Sequence, residues 1–125
     1  MLRKCIPEKK GFCIVERSKN YACVFITHDA QYACGEVKRM KRHNDSDEVF
    51  VLVSGRAVLL TMVDGAFTET LLEKGIAYVV EMGTWHALTV SEDALLFVTE
   101  NCDVVPEHSD TLVLEEPYFL DIDKF

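Results

Sequence analysis

No Cys-x-x-Cys pair occurs in this chain, and its cysteines, Cys5, Cys13, Cys23, Cys34 and Cys102, are odd in number. That pattern argues against a zinc ribbon or a closed disulfide framework and fits reduced thiols in a reducing compartment. Also missing is any apolar run near the ~20 residues that a membrane-spanning helix needs. The opening MLRKCIPEKKGF has no apolar stretch to serve as the core of a signal peptide. The expectation is a cytoplasmic protein with no membrane partner. Positive charge is scarce: 13 Lys and Arg stand against 21 Asp and Glu, a net charge of −8. Nucleic acids are held through accumulated Lys and Arg, so no nucleic-acid partner is expected. The acidic excess gathers at the end, where the chain from Glu100 onward carries eight acidic residues and one basic residue, Lys124. Residues 102–125 therefore read as a solvated, acidic C-terminal extension.

What remains is a chain of 125 residues, 49% hydrophobic and 27% charged. That is enough for one soluble domain, 1–125, and too little for two. Repeats, low-complexity tracts and linkers are absent, so turn punctuation is the main signal. Turn-prone pairs fall at Ser54-Gly55, Asp64-Gly65, Lys74-Gly75, Met82-Gly83 and Glu92-Asp93, the rhythm of an antiparallel sandwich or barrel. Strand-like runs lie between them: Val49 to Val53, Arg56 to Val63, Phe67 to Leu72, Ile76 to Val80, His86 to Val90 and Ala94 to Thr99. Upstream, Tyr21 to Thr27 and Gln31 to Met40 have the same β-branched and aromatic character. A barrel core over about 21–101 is expected. A helix has room only in roughly the last twenty residues, where Pro106 and Pro117 limit its length.

In EVFVLV the two-residue strand period puts Glu48, Phe50 and Leu52 on one face and Val49, Val51 and Val53 on the other. Both faces are apolar apart from the glutamate, so both need covering. A second sheet covers one; the other needs a further layer, an N-terminal strand or a second copy of the chain, and a homodimer is the expectation. A carboxylate that opens such a strand is costly to desolvate unless it is paired or ligating. By the same period Arg39, Lys41 and His43 share a side that leads toward Glu48. Beyond the Met82-Gly83 turn, in GTWHALTV, the one tryptophan, Trp85, stands beside His86.

A single histidine carries little weight; the joint spacing carries more. Gly35, five residues, Lys41, one, His43, four, Glu48, six, Gly55 resembles the first motif of the cupin superfamily, G-x5-H-x-H-x(3-4)-E-x6-G. Lys41 stands where that motif has its first histidine. Gly75, five, Glu81, one, Gly83, two, His86, three, Val90 resembles the second motif, G-x5-P-x-G-x2-H-x3-N, with Glu81 replacing the proline and Val90 the asparagine.

The resemblance implies an all-β, single-domain cupin, a double-stranded β-helix or jelly-roll barrel, with His43, Glu48 and His86 at its mouth. In the family a metal is usually held by three histidines and one glutamate. Two histidines and a carboxylate still suit a divalent metal such as Fe, Mn, Ni or Zn and leave positions open for water or substrate. Lys41 opposes this, because an ammonium repels a dication. The cations Arg39 and Lys41 suit a small polar ligand that is anionic, carboxylate-bearing or sugar-like. Phe50 and Leu88 form an apolar floor, and Tyr78 and Trp85 belong to the cavity wall or to the core. A second reading needs no metal. WHALTVSEDALLFVTE, residues 85 to 100, resembles cupins that isomerise nucleotide-linked keto sugars. There His43 serves as acid and base, while Lys41 and Arg39 hold phosphate or an enolate oxygen. A third reading is a ligand-binding or sensor module without turnover. His28 and His108 read as structural or exposed, and Lys38 and Arg42 as a solvated outer face.

Overall fold

The turn pairs punctuate strands in the structure as they do in the sequence. Residues 1–101 and 109–125 are described by the computed structural model; Cys102, Pro106 and His108 lie outside the described residues. The strands are β1 (Phe12–Arg17), β2 (Ala22–Thr27), β3 (Gly35–His43), β4 (Glu48–Ser54), β5 (Ala57–Val63), β6 (Ala66–Leu71), β7 (Ala77–Val80), β8 (Trp85–Val90), β9 (Leu95–Glu100) and β10 (Ser109–Leu120). They form two antiparallel five-stranded sheets, ordered β1-β2-β9-β4-β7 and β10-β3-β8-β5-β6. This is the jelly-roll architecture. Only 3-10 turns, Ala30–Tyr32 and Ile122–Lys124, are helical among the described residues.

Three segments depart from the expectations. Gln31 to Met40 does not run as one strand, because the Asp29 side chain accepts a hydrogen bond from the Gln31 amide at 2.9 Å and caps a 3-10 turn; β3 starts only at Gly35. Phe12–Arg17 pairs with β2, although neither turn residues nor clear alternation announce it. The end of the chain holds a strand where a helix had room. Strand β10 pairs with β3 from Ser109↔His43 to Val113↔Arg39, then from Tyr118↔Val37 to Leu120↔Gly35. Pro117 falls inside the break between these two runs, so its missing N–H interrupts no ladder. The acidic segment thereby gains a basic neighbour: Arg42 of β3 meets the Asp110 carboxylate of β10 at 2.8 Å.

Alternation along the strands divides the apolar residues between two cores. Val24, Ile26, Phe50, Leu52, Leu59, Val90, Leu96 and Val98 fill the space between the sheets. Val58 and Leu60, the neighbours of Leu59 in β5, point the other way and pack with Met40, Leu120 and Ile122. Arg56 holds the chain end over that second core, through Asp123 and the carbonyls of Ile122 and Phe125. On the outer face of the first sheet Val49 and Val51 are half-buried and Val53 is exposed.

Gly55 ends the first motif at a turn with φ 74°, and a Cβ added there would stand 2.5 Å from the Ala94 Cα. Both the left-handed backbone and the close approach require glycine. Gly55→Ala is expected to cost about 1–3 kcal/mol of folding stability, read by urea denaturation; a loss under about 0.5 kcal/mol, the scale of an innocuous surface change, would contradict this.

Candidate metal centre

The three sequence-predicted ligands come from three strands and converge. Glu48 is the first residue of β4 and His43 the last of β3, so the short connection between them brings both side chains to one end of the barrel. The turn before β8 is then docked against that connection. The Gly83 amide donates to the His43 carbonyl at 2.7 Å, and the Met82 amide donates to the Asp47 carboxylate at 2.8 Å. His86, on the inward face of β8, is thereby set opposite the other two. One donor atom from each of His43, Glu48 and His86 lies within 4.8 Å of the others.

The contacts are close, yet they leave a polar atom unsatisfied. Glu48 Oε2 is 3.0 Å from His43 Nε2 and 3.4 Å from His86 Nε2. The glutamate is only 5% exposed, and its Oε2 has no hydrogen-bond partner of acceptable alignment. The tautomer of His86 sharpens the point. Its Nδ1 is 2.9 Å from the Thr84 carbonyl, and a carbonyl can only accept, so Nδ1 carries the proton. The neutral ring then presents an Nε2 lone pair to a carboxylate oxygen. Two acceptors facing each other repel unless a cation lies between them or the ring is protonated. Nδ1 of His43 is 2.8 Å from the Ser109 hydroxyl, which orients that ring from β10. A donor set of two imidazoles and a carboxylate, each imidazole braced through its second nitrogen, fits a divalent metal.

A fourth group was missed by the sequence reading. Glu100 ends β9 and is the cross-strand neighbour of Glu48. Its Oε2 is 3.7 Å from His43 Nε2 and, buried, lacks a hydrogen-bond partner. The signal was present: Leu96 and Val98, both fully buried, set the inward parity of β9, and Glu100 continues it. The amide of Asn101 donates to Ser46 Oγ at 2.9 Å and ties this strand end to the same β3–β4 connection.

The two carboxylates titrate in opposite directions. Burial pushes the Glu48 carboxyl upward, but hydrogen bonds and charge from the two imidazoles in their protonated form outweigh that and hold it at about 2; a cation in their place would act in the same direction. Burial, then the neighbouring Glu48 charge, push Glu100 up to about 7. The contact with Glu48 raises His43; burial opposes this, the Glu48 and Glu100 charges reinforce it, and the Lys41 ammonium lowers it again.

The remaining predicted residues are distributed around this centre. Lys41 is the register partner of His86, on the inward parity of β3, with its side chain exposed. Arg39 lies two residues further along β3, paired with Val113 and exposed. Phe50 is buried and meets the His86 ring edge-on at 6.2 Å, while Leu88 packs against the inner core. Tyr78, the register partner of Phe50, lines an open cavity of about 250 Å³ with Thr61, Thr70, Val80, Glu81 and Thr84. Trp85 is placed elsewhere. It lies on the opposite face of β8 from His86, packed against the outer core. Arg42 covers its ring at 4.4 Å, so Arg42 is a stacking and ion-pair residue where a freely solvated one was expected.

Metal-free protein should have a definite pH dependence. A group raised in the folded state, such as Glu100 or His43, contributes stability that is complete below its unfolded value and is lost as pH rises through the folded one. Glu48, lowered in the folded state, behaves oppositely, its contribution being lost as pH falls from 4.5 toward about 2. Thermal unfolding in chelator should therefore show a melting temperature that declines between pH 5 and pH 8, with Glu100 passing through about 7. Glu100→Gln should flatten that decline. A wild-type melting temperature that is level or rises over the same interval would show that these groups are not buried together.

Comparison with known proteins agrees with this geometry. The family model "Cupin domain" matches residues 29–99, a span that takes in both motifs. The sequence is similar to no curated protein at a meaningful level. Among solved structures, Pac13 from Streptomyces, described as a nucleoside dehydratase, aligns with a TM-score of 0.68 at 10% identity, covering 99% of this chain and 98% of that one. A cupin-2 domain protein from Shewanella frigidimarina aligns at 0.57 with 20% identity, covering 77% and 84% of the two chains. KdgF from Halomonas aligns at 0.55 with 20% identity, covering 79% and 87%. At such identities the likeness is one of fold. Together with the matched family model, the two motif spacings and the paired five-stranded sheets, it establishes that this chain belongs to the cupin family.

Proposed function

We propose that this protein binds one divalent cation, Fe, Mn, Ni or Zn, through His43, Glu48 and His86, and uses it to hold a small polar molecule in the adjoining cavity. The observation that carries the reading is the orphaned Glu48 Oε2 between two imidazole nitrogens, with the His86 lone pair aimed at it by the Thr84 carbonyl. A bound cation would act as a Lewis acid toward a carbonyl or hydroxyl oxygen. The chain's own residues do the rest: Ser109 and Thr84 orient the rings, and Phe50 closes the floor. The cavity walls offer Thr61, Thr70, Thr84 and the Tyr78 phenol, groups suited to a hydroxyl-bearing ligand. Arg39 and Lys41, exposed on the same side of β3 as His43, suit an anionic group on the same molecule. Uridine occupies a Pac13 variant of the same fold, which supports small-molecule binding as the use of the cavity.

Elemental analysis of untagged protein tests this directly. About one equivalent of metal is expected in the wild type and little in His86→Ala, while Lys41→His, by removing a repelling cation and adding a donor, should bind at least tenfold more tightly. Wild type and Lys41→His both failing to hold metal would end the proposal. A second reading, acid–base chemistry without metal, is favoured by the raised values of His43 and Glu100, which keep a proton available near neutrality. It predicts exchange of solvent deuterium into a keto sugar by chelated protein and loss of exchange in His43→Gln; exchange that requires added metal would count against it.

The reading includes a homodimer closed over the outer face of the first sheet, where Val53 and Val79 are about half exposed beside half-buried Val49 and Val51. Light scattering at micromolar concentration should return twice the 14.2 kDa chain mass, and Val53→Glu with Val79→Glu should return the monomer. A monodisperse wild-type monomer would exclude it.

A further inference from the structure

We propose that Glu100 is a fourth protein donor to the cation, so that the centre is a two-histidine, two-carboxylate site in which a carboxylate from β9 makes good the donor lost at Lys41. The inference rests on the metal reading above and adds to it a ligand and a charge state.

Four observations support it. Glu100 is in cross-strand register with Glu48, so the two carboxylates enter the barrel side by side from adjacent strands. Its Oε2 lies 3.7 Å from His43 Nε2, the same nitrogen that faces Glu48. The side chain is 9% exposed, and Oε2 has no hydrogen-bond partner. A buried carboxylate oxygen without a donor is costly unless something satisfies it. Two hydroxyls of the adjoining segments have other partners: Ser46 Oγ donates to the Asp47 carbonyl and accepts from the Asn101 amide, and Ser109 Oγ lies 2.8 Å from His43 Nδ1. Glu100 and Glu48 thus each turn an orphaned oxygen toward His43 Nε2, at 3.7 and 3.0 Å; Glu100 stands just outside the His43, Glu48 and His86 cluster and would close on a cation beside that nitrogen.

Charge gives the independent reason. A dication held by one carboxylate and two neutral imidazoles leaves a net +1 in a largely buried place, with the Lys41 ammonium close enough to act on His43. A second carboxylate cancels that excess. Two oxygen anions also shift the preference of the site toward harder cations such as Mn²⁺ and Fe²⁺. Glu100 therefore answers the difficulty raised by Lys41: the lysine need not leave, because the strand opposite supplies the compensating charge.

The test uses the full chain, purified metal-free and titrated with Mn²⁺ for affinity and Co²⁺ for its visible spectrum. Glu100→Gln keeps the shape and hydrogen-bonding capacity of the side chain, and circular dichroism confirms that it folds. The expected result is Mn²⁺ binding at least tenfold weaker than wild type and a shift in the Co²⁺ absorption bands, since the bands report the donor atoms themselves. Glu48→Gln serves as the reference for loss of a sequence-predicted ligand. Binding in the wild type, together with unchanged Co²⁺ bands in Glu100→Gln at any affinity, overturns the proposal for Glu100 and leaves the three-residue site standing. No binding of either ion by the wild type overturns both.

Discussion

The hydrogen bond between His86 Nδ1 and the Thr84 carbonyl, 2.9 Å long, constrains the rest of the centre. It fixes which nitrogen of His86 faces inward, so that the near-contact with Glu48 is satisfied only by a cation between them or by a second proton on the ring. Without that bond the ring could present an N–H to the carboxylate and the group would be a closed, satisfied triad. With it, a neutral ring turns its lone pair to the buried carboxylate, and the Glu100 oxygen lies 3.7 Å from the same His43 nitrogen that Glu48 meets.

The fold exists around this point in a specific way. The ligands sit at strand ends, His43 closing β3, Glu48 opening β4 and Glu100 closing β9, while backbone bonds at Gly83, Met82 and Asn101 lace the intervening loops together. Rigid sheets thus carry the donors and short loops set their separation, the arrangement in which a site can be held within a few tenths of an ångström. The second core, beneath Met40, Leu60 and Leu120, stiffens the opposite face of β3 and β8. Arg42 and Trp85 belong to that support, one face removed from the chemistry.

Much of this was legible in the chain. Turn pairs marked the strands from 48 to 100 within a residue or two, and glycines at fixed spacing marked the motif turns because those turns require left-handed backbone, as at Gly55. His43, Glu48 and His86 could be named because their joint spacing resembles the two cupin motifs and because Glu48 opens an otherwise apolar strand. Glu100 obeys the same rule but falls at the border of the acidic stretch, where composition suggested solvent and hid its parity with Leu96 and Val98. Strand β10 was hidden for a related reason: it lies in the acidic end of the chain, and its partner, the basic strand β3, lies more than sixty positions earlier along the chain. Pairing over such a distance leaves no local periodic signature. Trp85, read as cavity wall or core, takes the core role, since neighbours in a strand point to opposite faces and His86 holds the inward one.

Lys41 now has a physical context. It occupies the position next to His86 that the family pattern gives to a ligand, yet its side chain reaches solvent. The most direct measurement of the central claim is anomalous X-ray diffraction from crystals of Mn²⁺-loaded protein. A single strong peak should lie between His43 Nε2, His86 Nε2 and the Glu48 carboxylate at about 2.0–2.3 Å from each. An empty map there, with the Glu48 oxygen bound instead by imidazole N–H groups or water, would contradict it.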